Sequence, residues 1–173
     1  MALVKPVNGK QPQFGDNCYL TENATIVGDV KMGNNCSVWY NAVIRGDVNS
    51  IEIGDNTNIQ DGAIIHCTYQ TAATKIGNNV SIAHNAIVHG CTIHDNVLVG
   101  MGAIVMDHAI IESGSIIAAG AIVLENTIVP AGSIYGGIPA KKIKDVDAKR
   151  SGVFARTAKN YVMYSEWFRQ SED

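Results

Sequence analysis

The chain has 173 residues, 46% of them hydrophobic and 17% charged, with a formal net charge of −3. That length suits one domain with a sizeable core, and the charge balance carries no footprint of a nucleic-acid or anionic-membrane partner. No apolar run reaches the roughly 18 residues that a membrane-spanning helix needs.

The N-terminal stretch Met1–Gln13 lacks the hydrophobic centre of a signal peptide, so the expected location is the cytoplasm. Cys18, Cys36, Cys67 and Cys91 form no Cys-x-x-Cys pair, and in a reducing compartment they are expected to remain thiols.

From Leu20 onward the chain repeats every six residues. Aliphatic residues or Met stand at Leu20, Ile26, Met32, Val38 and Ile44, resume at Ile53, Ile59 and Ile65, and again at Ile76, Ile82 and Val88. After one shortened step they continue at Ile93, Val99, Val105, Ile111, Ile117, Val123 and Val129. The fourth residue after a start is small or β-branched, as at Ala24, Cys36, Ala86, Ala103 and Ala121, and Gly, Asn and Asp crowd the positions between. Those residues tolerate tight corners and left-handed backbone angles. A period of six fits neither a helix nor a long flat strand. It fits a short strand and a corner, repeated, which is the hexapeptide signature of a parallel β-helix. Three hexads close one triangular coil, so the run predicts an all-β solenoid of about six coils.

The residue before each start is apolar in the second half: Ile104, Ile110, Ile116, Ile122, Ile128 and Ile134, with Ile64, Ile87 and Leu98 earlier. Either these form an outer apolar wall for a helix or another subunit to cover, or the core is wide. Gly136-Gly137-Ile138-Pro139 marks a break, and Lys141, Lys142 and Lys144 read as a solvated helix start. Beyond it Phe154, Ala158, Tyr161, Ser165 and Phe168 lie at helical spacing, predicting an amphipathic helix against the prism. The expected division is 1–144 as the solenoid and 145–173 as the terminal helical segment.

Periodicity also places polar residues. Arg45, His66 and His89 each follow a hexad start by one, on one face in successive coils, with a coil spacing of about 4.8 Å. Gln60 and Asp61 follow Ile59, and His84 follows Ile82 by two, so Asp61 and His84 stack on the adjacent face. His66 and His89 can chelate one ion from a single chain, whereas His84 has to come from a second copy about a threefold axis. Three His with one open position describe a catalytic zinc site. The alternative is a set of solvated surface histidines, the reading given to His94 and His108, and Cys67 and Cys91 stand nearby as rival soft ligands.

The segments Trp39–Asp47, Asn58–Gly62, His66, Ser81–His84 and His89 together resemble the γ-class carbonic anhydrase-like family of hexapeptide-repeat proteins. The resemblance implies a left-handed β-helix with a C-terminal α-helix, assembled as a homotrimer. It implies His66, His84 and His89 as ligands of Zn2+, with Fe2+ or Co2+ as other occupants. It also implies Arg45 and Asp47 as an ion pair near the subunit interface supporting an anion, Gln60 as the partner of the metal-bound water, and Asp61 as a carboxylate steadying the site. Tyr161 matches a tyrosine lining the pocket. The activity implied is reversible hydration of CO2 to bicarbonate by zinc-bound hydroxide at the trimer interface. This chain departs from the founding type in having Val48 where a glutamate follows the Arg-x-Asp element. The loop Cys67–Lys75 is short and carries no acidic residue to shuttle protons. Two other readings stand beside this one: an acyltransferase or thioesterase using coenzyme A, and a metal-binding structural subunit of little activity.

Overall fold

The protein is described by a computed structural model covering residues 1–147 and 152–171. It is a parallel β-solenoid of about seven turns with, among the described residues, one C-terminal helix, of the β-helix class the hexads predict. Its extra turn corrects the count of about six. Leu3–Lys5 and Gln13–Phe14 pair in parallel with Thr25–Met32 and begin the first turn. They are largely exposed because no turn lies beneath them, so they carry no inward-facing aliphatic period to read.

Each turn lays three short strands on three columns. One column runs Asn58–Ile59, Ser81–Ile82, Leu98–Val99 and Ile116–Ile117, every pair parallel. A second runs Ile64–His66, Ile87–His89, Ile104–Val105 and Ile122–Val123. The third runs Thr74–Ile76, Thr92–Ile93, Ile110–Ile111 and Ile128–Val129. Thr25–Met32 and Val43–Ile53 belong to the last two columns at once, because these strands bend around a corner without breaking. Gly28 makes that bend possible: its φ is +81° and a Cβ there would collide with the Gly46 carbonyl.

Inside, the hexad starts stack on one another. Ile59, Ile82, Val99 and Ile117 are fully buried, as are Ile26, Ile44, Ile65, Val88, Val105 and Val123. The residue before each start points outward, which decides for an outer wall over a wide core. Ile64 is 41% and Ile128 61% exposed, while Ile134 is buried. At one corner Asn17, Asn35, Asn56, Asn79 and Asn96 all take positive φ, and Asn17 Nδ2 donates to Asn35 Oδ1 at 3.0 Å. The Gly-Asn-Asn clusters of the sequence are thus a ladder of left-handed corner residues.

The terminal segment differs from expectation. Lys141, Lys142 and Lys144 do not begin a helix; Lys141–Asp145 is a strand antiparallel to Ser133–Gly136. It pairs the edge left open at the end of the column. The helix spans Val153–Ser171, and positions 148–151, 172 and 173 of the predicted segment lie outside the described residues. It packs on the column holding Ser37–Val38 and Ser81–Ile82, where Ser37, Asn58 and Ser81 replace the aliphatic wall of later turns. Phe154 and Ala158 are buried, and Trp39 meets Tyr161 and Phe168 edge-on at 5.4 Å. Among the described residues no helix is long and apolar enough to cross a membrane.

Ile82 sits at the centre of its column, buried between Ile59 and Val99. Replacing it with Ala leaves a cavity that rigid neighbouring turns cannot close. The expected cost is about 2–5 kcal/mol, read as a lower urea midpoint at unchanged slope.

Candidate metal centre

The register brings two of the predicted ligands together. Val88 pairs with Ile65 and His89 with His66, and Ile44 pairs with Ile65 one turn below. Arg45, His66 and His89 therefore occupy one column. His66 Nδ1 and His89 Nε2 stand 3.0 Å apart. On the adjacent column Asn58 pairs with Ser81 and Ile59 with Ile82, which stacks Asp61 under His84. The His84 ring is not part of the His66–His89 pair. Among the described residues no group of three or more His, Cys, Asp or Glu on this chain could hold a metal ion.

Each of the three imidazoles is backed by a carboxylate. His66 Nε2 faces Asp47 Oδ1 at 3.1 Å, His84 Nδ1 faces Asp61 Oδ2 at 2.9 Å, and His89 Nδ1 faces Asp107 Oδ1 at 2.5 Å. A ring that donates its N–H to a carboxylate keeps a lone pair on its other nitrogen. The nitrogens so left are His66 Nδ1, His84 Nε2 and His89 Nε2. Two of them confront each other at 3.0 Å, which is repulsive unless a proton or a cation lies between. Ligands about 2.0–2.1 Å from a tetrahedral Zn2+ would be roughly 3.3 Å apart. The donor set therefore fits an imidazole-bound divalent ion.

Asp47 couples this pair to a cation. Its other oxygen, Oδ2, accepts from Arg45 Nη1 at 2.7 Å. Desolvation raises the Asp47 pKa, but hydrogen bonds from Arg45 and His66 together outweigh it and hold the carboxyl below its ordinary range. Burial is the main cause lowering the His66 pKa; Asp47 opposes it, and Arg45 and His89 add to the lowering. The imidazole is thereby kept neutral, the state in which it ligates.

Gln60 is buried beside Asp61. Its Nε2 donates to Asn58 Oδ1 at 2.9 Å, and Asn58 Nδ2 donates to Ser81 Oγ at 2.9 Å. With the amide nitrogen engaged, Gln60 offers its oxygen as acceptor. Tyr161 lines a cavity of about 240 Å³ with Asp61, Tyr164 and Trp167; burial and then the Asp61 charge push its pKa up to about 12. The rival ligands do not join the site: Cys67 and Cys91 are buried in the core, and Cys67 Sγ donates to Asn49 O at 3.3 Å. All four cysteines are free.

Asp107 is the residue that the sequence reading missed. It follows Val105 by two in the turn above His89, where Val105 pairs with Val88. The same two-residue offset from a hexad start carries Asp61 and His84, and that was the signal available.

The fold and the stacked imidazoles define a hexapeptide-repeat β-solenoid protein. The "Bacterial transferase hexapeptide (six repeats)" family model matches residues 12–46 and 90–125. The chain is similar to a carbonic anhydrase of Geobacillus kaustophilus, 33% identical over 96% of this chain and 91% of that one. It is 38% identical to gamma carbonic anhydrase 2, mitochondrial, of Arabidopsis thaliana over 88% of this chain, and that match spans 57% of the plant protein. Among solved structures it resembles a hexapeptide transferase family protein of Anaplasma phagocytophilum, with a TM-score of 0.92, 39% identity and coverage of 96% and 98%. The chain belongs to the γ-carbonic anhydrase-like family.

The lowered His66 pKa sets a direction with pH. As pH falls from about 6.5, the ordinary His value, the unfolded chain takes up this proton before the folded one. Stability contributed here is complete above that pH and declines until the lowered folded value is passed. The urea midpoint of the metal-free protein is therefore expected to fall from pH 7 to pH 5.5, and to fall less in His66→Gln.

Proposed function

We propose that the chain is a zinc-dependent carbonic anhydrase that hydrates CO2 reversibly to bicarbonate at sites between subunits of a homotrimer. The observation that carries this reading is the meeting of His66 Nδ1 and His89 Nε2 at 3.0 Å, each ring backed by its own carboxylate. These two nitrogens and Nε2 of His84 from a second copy would hold the ion. The location of His84 on another column supports a subunit-bridging site. So does the apolar wall of Ile64, Ile87, Ile104 and Ile122 on the column that carries His66 and His89, since a partly exposed apolar stripe invites a partner surface.

Zn2+ held by His66, His89 and a second copy's His84, with one position open, would lower the pKa of water there to about 7 and so supply a nucleophile at neutral pH. The protein's own groups do the rest. Gln60 accepts a hydrogen bond through its amide oxygen, its orientation fixed by Asn58 and Ser81. Arg45, held by Asp47, keeps positive charge beside the site and favours the anionic product. Tyr161 stays protonated at neutral pH and, with Tyr164 and Trp167, walls the cavity with aromatic surface. The loop Cys67–Lys75 offers no carboxylate to carry protons outward, so proton release passes to buffer.

A second reading, acyl transfer from coenzyme A, is favoured by the likeness to a hexapeptide transferase family protein. Calorimetric titration with coenzyme A distinguishes the two: saturable binding supports the transferase, and its absence supports the hydratase.

His89→Ala is expected to abolish stoichiometric metal binding, checked by elemental analysis of the purified protein. The wild type is expected to sediment as a trimer and to hydrate CO2 in stopped flow at a rate that rises with buffer concentration. No hydration by a trimer carrying its full metal content would rule the reading out.

A further inference from the structure

We propose that Asp107 is a positioning residue of the metal centre, which locks His89 in the orientation that presents Nε2, and that Thr68 locks Asp107 in turn. The inference rests on the reading of His66 and His89 as ligands. Both oxygens of the Asp107 carboxylate are committed, to different partners. Oδ1 faces His89 Nδ1 at 2.5 Å, and Oδ2 accepts from the Thr68 hydroxyl at 2.5 Å. A carboxylate held at both ends cannot rotate, so the ring it faces has one preferred plane and one preferred tautomer.

Thr68 stands two residues after His66, at the start of the loop that separates the two ligand-bearing turns. The linkage therefore closes a ring: His66, the backbone to Thr68, Asp107, His89, and back to His66 across 3.0 Å. Three elements of different sequence position are fixed against each other, and both imidazoles lie inside the circuit. Hydrogen bonds from Thr68 and His89 overcome desolvation and hold Asp107 ionised, consistent with its role as an acceptor.

Gly90 keeps room for this arrangement. It takes φ +54°, and a Cβ built there would collide with the Asp107 carboxylate and the Ala72 side chain. Its N–H bonds to Thr74 Oγ1 at 2.9 Å, so the backbone beside His89 is drawn against the same loop. The contrast with His94 and Glu112 is informative. That pair also stacks in successive turns, but at 3.8 Å and about half exposed, with no further group among the described residues holding the carboxylate.

The test compares Asp107→Ala, Asp107→Asn and Thr68→Val with the wild type, and with Glu112→Gln as the control. Zinc affinity is read by competition with a chromogenic chelator, and ligand geometry by the visible spectrum of the cobalt(II) form. Asp107→Ala is expected to weaken zinc binding about 10–100-fold and to shift the cobalt bands. Asp107→Asn, whose amide oxygen can still accept the ring N–H, is expected to lose less, and Thr68→Val to lose least. Glu112→Gln is expected to match the wild type. Thermal unfolding of the metal-free Asp107→Asn form should stay near the wild type, which separates positioning from a structural role. If Asp107→Ala does not fold, Asp107→Asn decides by the same two readouts. Wild-type affinity with an unchanged cobalt spectrum overturns the inference and leaves the metal site standing. A wild type that binds neither zinc nor cobalt overturns the parent reading, and this one with it.

Discussion

The parallel hydrogen-bond ladder between successive turns is the constraint on which the site depends. Ile64 N–H donates to Ala86 O, Ile87 N–H to Ala103 O and Ile104 N–H to Ala121 O, at 2.8–2.9 Å. Parallel bonding at strand spacing stacks like phase on like phase. A slip of one residue would exchange the buried Ile65 and Val88 for the outward Ile64 and Ile87, so the register is strongly specified by burial. Once it is specified, a side chain at a given offset in one turn lies beside the same offset in the next. His66 and His89 meet for that reason. Neither needs a local motif, because the core that aligns them is made by their neighbours in sequence.

The electrostatics of the corner follow from that stacking. Asp47, Asp61 and Asp107 bring three carboxylates to three imidazoles, and Arg45 is engaged by Asp47 at the pair. Hydrogen bonds keep Asp47 and Asp107 ionised, and burial keeps His66 neutral. Imidazole nitrogens facing one another with carboxylates behind them form an environment short of positive charge. A divalent cation satisfies it better than a proton, since it accepts both lone pairs and a third. If the third comes from another copy, metal and assembly are linked: an ion that binds only the assembled state stabilises it by mass action. The half-site on one chain and the isoleucine wall beside it then describe the same interface from two sides.

Much of this was legible in the residues. The hexad starts named the inward stacks, and counting coils placed Arg45, His66 and His89 in one column and Asp61 with His84 in another. The first turn was not legible, because Leu3–Lys5 and Gln13–Phe14 have no turn beneath them and so no aliphatic period. The strand Lys141–Asp145 was read as a helix start because antiparallel capping depends on an open edge at Ser133–Gly136 and leaves no six-residue pattern of its own. Asp107 escaped notice because its partners are distant in sequence: Thr68 is reached only through the fold. The outward isoleucines were ambiguous by sequence, since a wall and a wide core share the same pattern until burial separates them.

The His66–His89 pair lies where the repeat is broken. Three steps around the solenoid depart from six residues: Ile44 to Ile53 and Ile65 to Ile76 are long, and Val88 to Ile93 is short. All three turn the same corner, in consecutive turns, between the column of Ile65 and Val88 and that of Ile76 and Ile93. Below them the step from Ile26 to Met32 is regular, and above them so is that from Val105 to Ile111. The first long step carries Arg45 and Asp47, the second His66 and Thr68, and the short one His89 and Gly90. Lengthening two turns lets Asp47 and Thr68 swing toward the imidazoles, and shortening the third pulls Gly90 against the loop so that Asp107 can reach down. Regular hexads thus build a rigid column at little cost in information, while departures from them, confined to one edge, bring Asp47, Thr68 and Gly90 up to the His66–His89 pair.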